Sequence, residues 1–534
     1  MRSRRKVVTH RFLLVGSAAW KSTHAETRYR VVVSRSVTQL VVRPVCSLCV
    51  CLLIAPFAAR AQSSADDSSF QSVLTAQQRS PAHTNSSQAN PTQANTAPAQ
   101  AQNSDSDDSL TLFPHPETSR YWISGQANIV FQWHPSFPAE YSGPNSLRPV
   151  AESATSRALT LYLGYKLTPT TEVYLDIESA GGHGISQSLG LGGYTDLDVV
   201  RVGLAGQTPY VARAMIRQII ALTDERVPEQ RDATTFTLAE TVPARRIEIR
   251  AGKFSAVDFF DQNTYASDSH LQFLNWAVDD DAAYDYAANT RGYTDGAIVE
   301  YDDHWFSARF GELLMPKVAN GINLDADLAR ARAENLEFDF TGNKIAHRPG
   351  VLRLLAYLNH ADMGNYEQAV GEYLRGQTST PNITATRRQG RHKYGFDLNF
   401  EQEVAPQIAV FGRLGWSDGR NESFAYTECD RTLELGGFSY GGRWHRRNDR
   451  AGVAFVANGI VAAHQEYLAL GGLGFQLGDG GLTYGSEKIA EAFYTAHLWS
   501  GFFASFDLQH INNPGFNRAR GPAIVPALRL HVDF

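Results

Sequence analysis

The chain of 534 residues is 43% hydrophobic, 11% aromatic and 19% charged, with 43 glycines and only 4 cysteines. Its 49 basic against 55 acidic side chains leave a net charge of −6, which argues against a nucleic-acid binder. No apolar stretch past the basic front is long enough for a helical membrane span; this excludes a helix bundle but not a membrane β-barrel, whose strands alternate.

Charge is uneven along the chain. Residues 1–61 hold 11 Lys and Arg and one acid, leaving a net of −16 on the rest. The basic front ends in the apolar run VCSLCVCLLIAPFAA, followed by Ala59-Arg60-Ala61. A basic region, a short apolar core and a small-x-small site describe a secretory signal peptide, with cleavage after Ala61. The stretch ahead of the apolar run is long for such a peptide and fits a translation start near Val37 to Val42. Cys46, Cys49 and Cys51 have a spacing that suits a metal or redox site, but also read as small apolar residues of the cleaved core. Cleavage leaves Cys429 alone, so no internal disulfide framework is expected. Residues 62–109 are Ser, Gln, Ala, Asn, Thr, Pro and Asp, too polar to bury a core, and read as a disordered periplasmic linker ahead of a β-barrel over 110–534.

From Arg120 the period becomes two. YWISGQANIVFQWH sets Ile123, Ala127, Ile129, Phe131 and Trp133 against Ser124, Gln126, Asn128 and Gln132. ALTLYLGYKL carries Leu159, Leu161, Leu163, Tyr165 and Leu167 on one face, and TEVYLDIES sets Val173, Leu175 and Ile177 against Glu172, Tyr174, Asp176 and Glu178. PYVARAMIRQII fits an amphipathic helix as well, but its set Ala212, Ala214, Ile216 and Ile220 favours a strand. KYGFDLNFEQE opposes Tyr394, Phe396, Leu398 and Phe400 to Lys393, Asp397, Asn399 and Glu401. IAVFGRLGW, GFFASFDLQH and ALRLHVDF behave alike.

The charged face of strand after strand needs water, so it should line a wet channel while the apolar face meets lipid. Tight turns near 166–171, 302–304, 404–407 and 498–500 alternate with long connections near 181–208, 254–290, 363–390 and 459–481. Short periplasmic and long extracellular links are expected of an outer-membrane barrel. One link, 222–244, is long where a tight turn belongs. The pattern predicts an all-β fold, a transmembrane barrel of about 16 antiparallel strands. Leu528, Leu530, Val532 and Phe534 alternate up to the C-terminus, resembling the last-strand signal that barrel-assembly machinery recognises.

Several longer motifs lie in one order: FPAEYSGPNSL (137–147), PYVARAMIRQ (209–218), AGKFSAVDFFDQNTYASDSHLQFLNWA (251–277), FGRLGWSDGRNESFAYTE (411–428), VANGI (456–460), GLGFQLGDGGLTYGSEKIAEAFY (472–494) and NPGFNRARGPAIVPALRLHVDF (513–534). Together they resemble the OprB-type carbohydrate-selective porins over roughly 120–534, whereas 62–109 lies outside the resemblance and 223–244 looks irregular against it. The resemblance implies a monomeric or homotrimeric outer-membrane barrel of 16 strands that passes glucose and other small sugars down a gradient. Two inward-folded extracellular loops would narrow it, here about 181–208 and 254–290.

A sugar filter needs charged or amide groups for hydroxyls and an aromatic plate for the ring, and it must hold weakly so that the solute leaves. The eyelet expected here combines Arg213 and Arg217, on one strand face, with Glu248 and Arg250. Lys253 has the other parity and falls at the strand end; Asp258 and Asp261 would face the cations, and Trp276 would be the plate. Each has a plainer reading: an inner-wall salt-bridge ladder for the arginines and Glu248, loop capping for Asp261 and Asn263, loop packing for Trp276. Asp279, Asp280 and Asp281 suggest calcium but lack the alternate spacing of a calcium loop, and no metal or cofactor is expected. No HExxH, GxSxG or P-loop is present, so no catalytic residue is assigned. The expected partners are small sugars, outer-membrane lipid, lipopolysaccharide and, through Phe534, the assembly machinery. A general small-solute porin, an exported β-rich binding protein and an outer-membrane enzyme stay open as alternatives.

Overall fold

The computed structural model describes residues 109–115, 120–198, 208–229, 237–342 and 347–534. The expected signal peptide and nearly all of the expected linker lie outside the described residues. Within them, sixteen strands close into one antiparallel barrel. In chain order they are β1 (Tyr121–His134), β2 (Glu152–Thr168), β3 (Thr171–Gly182), β4 (Tyr210–Ala221), β5 (Arg246–Phe254), β6 (Thr294–Asp303), β7 (Phe306–Leu313) and β8 (Arg332–Gly342), then β9 (Gly350–Met363), β10 (Arg388–Ala405), β11 (Ile408–Ser417), β12 (Arg431–Tyr440), β13 (Arg450–Gly459), β14 (Glu487–Trp499), β15 (Phe502–Asn512) and β16 (Ala523–Asp533). Each strand pairs with its neighbours in sequence, and β1 pairs with β16 from Gln126↔Asp533 to Gln132↔Ala527. Gly125 and Phe534 exchange both backbone hydrogen bonds, at 2.8 and 2.9 Å, so the C-terminal residue completes the seam.

The two faces follow the sequence period. Ile129, Phe131, Leu159, Leu161, Phe396, Leu435, Phe455 and Leu528 are exposed on the outer surface, while Gln126, Asn128, Glu172, Asp176, Asp397 and Glu401 are buried inside. One strand departs from the simple alternation. In β4 the register steps between Asp176↔Arg213 and Ile177↔Val211, which leaves Ala212 as an extra, buried residue in a bulge. The outward set is therefore Val211, Ala214, Ile216 and Ile220, and the expectation that Ala212 shares that face is corrected.

Aromatic residues mark both rims. Tyr165, Trp305 and Trp499 lie at the end with tight turns, and Trp133, Tyr394 and Trp416 at the other. This is the pair of girdles expected at the two interfaces of a membrane. Residues 169–170, 304–305, 406–407 and 500–501 make the tight turns; 183–209, 255–293, 364–387 and 460–486 are the long links opposite. The link 222–245 is long on the tight-turn side, as its sequence indicates. Among the described residues the long links carry little regular structure beyond α1 (Trp276–Asp279), α2 (Tyr366–Leu374) and α3 (Ala462–Ala469).

The outward face sets a direct test. Leu435 points outward near the middle of β12. Leu435→Arg should lower the free energy of unfolding by about 2–4 kcal/mol in lipid vesicles, the cost of a cation on a barrel's lipid face near the midplane. Urea titration of the folded band on unboiled gels measures it, and an unchanged midpoint would place Leu435 in water.

Candidate functional site

The inner wall carries a dense set of ion pairs. Arg213 and Arg217 are four residues apart on β4 and face inward together with Glu248 and Arg250 of β5. Arg217 donates from Nε and Nη2 to Glu248, both at 2.8 Å, and from Nη1 to Glu172 at 3.2 Å. Arg250 donates to Glu248 at 2.5 Å and to Glu300 on β6 at 2.6 Å. Arg309 of β7 continues the run to Glu300 and Asp339, both at 2.8 Å, and to Glu337. Arg353 of β9 then lies 3.4 Å from Glu401 of β10. Three of the four predicted wall residues, Arg217, Glu248 and Arg250, come together as a ladder, while Arg213 pairs with Asp176 of β3 and with Asp258 of the loop.

Their exposure separates two roles. Arg217 and Glu248 have almost no free surface, 1% and 0%. Arg246, Arg250, Arg309 and Arg353 keep 11–15% of their side chains open and form the accessible edge. A carboxylate stands beside each of these, so the edge offers many donors and little net charge. Sequence reasoning missed Arg309, Arg353, Glu300 and Glu337. Their inward parity is visible in TDGAIVEYDD, FSARFGEL, RAENLEFDF and GVLRLLAY, but which strands bring them together is a matter of register. Lys253 faces outward near the end of β5, level with Ala214 and Asp295.

The loop 255–293 crosses the lumen above this edge. Asp258 closes a capping box with Ser255 and grips Arg213 through two hydrogen bonds of 2.7 and 2.6 Å. That predicted contact is present. Asp261 does not face Arg213 or Arg217, which corrects the expectation. It accepts from Arg413 of β11 at 2.9 Å, from Asn399 of β10 at 2.6 Å and from the Asp281 N–H at 2.6 Å. Its own N–H reaches Glu337 at 2.8 Å, with φ at 57°. The physical reason is reach: the loop has already passed β5 by residue 261 and is seated on the opposite wall. Arg413, fully buried, also donates to the carbonyls of Val278 and Asp279 at 2.8 and 3.0 Å and to Glu434 at 3.0 Å. Further along, Glu491 accepts the Leu274 N–H at 2.6 Å, and Arg529 donates to the Ser269 and Gln272 carbonyls at 2.6 and 2.8 Å. The loop is thus fastened to β4, β8, β10, β11, β14 and β16.

Trp276 offers no plate to a solute, a second correction. It is 0% exposed and packs edge-on against Tyr194 and Tyr426, with ring centroids 5.8 and 5.9 Å away. It joins three loops: Asn275 caps α1 by accepting the Ala277 N–H, and the indole beside it packs into the dry space between them. The aromatic groups nearer the open edge are Phe259, whose ring lies 5.0 Å from the Arg250 guanidinium, and half-buried Tyr265, 5.3 Å from Phe438. The loop 183–209 also turns inward: Glu487 of β14 accepts the N–H groups of Gly192, Gly193 and Gly515 at 3.0, 3.0 and 2.8 Å. A Cβ on Gly193 would stand 2.8 Å from the Ala277 side chain, so the close approach needs glycine. Among the described residues no group of three or more His, Cys, Asp or Glu could hold a metal ion, the Asp279–Asp281 run included.

Several loop carboxyls are raised above the ordinary range. Burial pushes the Glu428 carboxyl up to about 7, and burial with Asp198 beside it does the same for Asp196. Burial, with Asp261 close by, holds Asp281 well above the ordinary carboxylate range.

Two measurements follow from this fastening. Arg413→Ala leaves Asp261 and Glu434 buried without their cation, at a cost of about 3–5 kcal/mol, and should free the loop. A larger and noisier single-channel conductance is expected, and a conductance equal to that of the parent would show that the loop holds without Arg413. A carboxyl raised by folding binds its proton more tightly in the folded state, so its stabilisation is complete at low pH and fades between about pH 4 and 7. Glu428→Gln, which keeps an acceptor for the Gln476 and Leu477 N–H groups, should therefore flatten the fall of the urea midpoint between pH 4.5 and 7.5.

The profile of the family described as carbohydrate-selective porin, OprB family, matches residues 145–534. No curated protein matches by sequence. The high-pH structure of Pseudomonas putida OprB is similar at a TM-score of 0.59 with 16% identity, covering 78% of this chain and 94% of that one. Its low-pH structure gives 0.41 with 12% identity over 78% and 92%, and the outer-membrane channel DcaP of Acinetobacter baumannii gives 0.41 with 10% identity over 80% and 100%. At such identity the first likeness speaks for the fold alone, and the other two carry no argument. The family match spans well over half of the sequence and falls on a closed sixteen-strand barrel with a charged, loop-narrowed lumen, so the chain belongs to the OprB family of carbohydrate-selective porins, sugar-selective channels of the outer membrane.

Proposed function

We propose that this porin passes monosaccharides such as glucose, and short oligosaccharides, passively between the loop 255–293 and the arginine edge of the wall. The observation that carries this reading is the edge itself, guanidinium groups each tied to a carboxylate and partly open to the lumen. A neutral polyol can exchange hydroxyl hydrogen bonds with both partners of each pair. A bulk ion gains little there, because opposite charges alternate along its path. Arg213 and Arg250 stand at the edge and touch solute, Asp258 binds from behind through Arg213, and Arg217 and Glu248 hold Arg250 in place. Phe259 and Tyr265, rather than Trp276, supply the apolar surface for a ring.

The same reading covers assembly and place. Residues 1–61 act as the export signal, 62–109 as a periplasmic linker, and 110–534 as the barrel. Phe534 carries the signal for the assembly machinery, in keeping with its place at the seam. The apolar outer face meets outer-membrane lipid and lipopolysaccharide, or two further copies in a homotrimer.

Liposome swelling tests the sugar path. Glucose should enter faster than an amino acid of matched size, and saturably, and Arg309→Ala should narrow that preference several-fold. Arg309→Lys should rescue it only in part, since an ammonium lacks the planar fork. Entry ranked by size alone would leave a general porin, and no entry of any solute into vesicles holding folded protein would end the channel reading.

A further inference from the structure

The link 222–245 joins β4 to β5 at the periplasmic end, where the other hairpin links are short. Two short strands, Arg226–Pro228 and Thr241–Pro243, pair antiparallel within it. Val242 packs with Ala239 and with Ile219 of β4 in a small apolar cluster of its own. This gives the link a fixed seat under the barrel.

From that seat it turns into the mouth. Glu229 lies 3.2 Å from the Arg217 guanidinium, and Thr237 accepts from Arg217 Nη1 at 2.8 Å. The Leu238 N–H donates to Glu172 of β3 at 3.2 Å, and Lys166 Nζ of β2 donates to the Leu238 carbonyl at 2.7 Å. The Leu238 side chain covers Gly164, where a Cβ would stand 3.4 Å from its methyl groups. Gly164, Lys166, Glu172 and Arg217 all face the lumen. Residues 229, 237 and 238 are therefore inside the barrel wall at its periplasmic end and span three strands.

We propose that residues 222–229 and 237–245 build a second constriction at the periplasmic mouth, and that Glu229 sets its ion preference. The cations there are Lys166, Arg217 and Arg246, and Glu172, Glu248, Asp302 and Glu229 answer them. Only Glu229 comes from the link; the other three carboxylates belong to the wall. Without its charge the mouth is one unit less negative, which favours anions over cations. A solute leaving the loop filter thus meets a second, near-neutral ring before the periplasm. The inference rests on the channel reading above.

Planar bilayers holding the full barrel test it. Glu229→Gln should raise the anion-to-cation permeability ratio about twofold, as one unit charge roughly 10 Å from the path in water at about 0.1 M salt would. An unchanged ratio overturns the proposal. Thr237→Cys provides the second measurement, because Cys429, the other thiol in the barrel, is fully buried. A cationic methanethiosulfonate reagent added on the periplasmic side should lower its current in steps. Full labelling confirmed by mass with no change in current overturns the proposal even if the Gln variant misfolds. A parent protein that conducts nothing would refute the channel reading itself, a different outcome from conducting variants that match their parent.

Discussion

A strand in hydrocarbon has no water to satisfy its backbone, so the sheet must close on itself. The pairing of β1 with β16 does this, and the terminal Phe534 completes it through both of its backbone groups. Closure settles the wall. It turns an apolar face outward between the two rims and leaves function to the side chains and loops that turn inward. The remaining architecture is a response to one consequence: the inner face must carry polar groups, and they must be held.

The ladder and the loop solve this together. Isolated charges on the inner wall would have sampled many rotamers and met solute with a poorly defined surface. Here the charges are shared between neighbouring strands, as Glu248 is shared by Arg217, Arg246 and Arg250. Buried members such as Arg217 fix accessible members such as Arg250. The loop 255–293 uses the same currency on the far wall, where Arg413 binds two loop carbonyls and the Asp261 carboxylate. Those pairs gain little against apolar packing in free energy, but they specify one position for each group.

The wall was legible in the sequence because its period is local. Tyr394, Phe396, Leu398 and Phe400 declare one face and Asp397, Asn399 and Glu401 the other, whatever the neighbouring strands do. Arg213, Arg217, Glu248 and Arg250 could be placed on one surface for the same reason. What failed was long-range. The bulge at Ala212 depends on how β3 and β4 pair. Asp261 meets Arg413, 152 positions away, only because the loop crosses the lumen. Trp276 has the composition of a sugar plate, and nothing near it in sequence says that Tyr194 and Tyr426 enclose it. Parity says which way a strand residue points, and says nothing of a loop's path.

One part of that path is written in the wall, in glycines that composition alone treats as excess. Gly311 on β7, Gly415 on β11 and Gly452 on β13 all face inward. A Cβ at Gly311 would stand 2.9 Å from the Phe260 ring, and one at Gly452 would stand 2.7 Å from the Phe273 ring. One at Gly415 would collide with the Asp281 carboxylate. All three intruding side chains belong to the loop 255–293. Glycine in a strand interior weakens the strand, so its presence there marks a close approach. Each of these positions is a socket that lets the loop sit deeper than an alanine wall would allow. The depth of the loop sets how much of the arginine edge remains open, so the cross-section available to a sugar depends on residues with no side chain of their own.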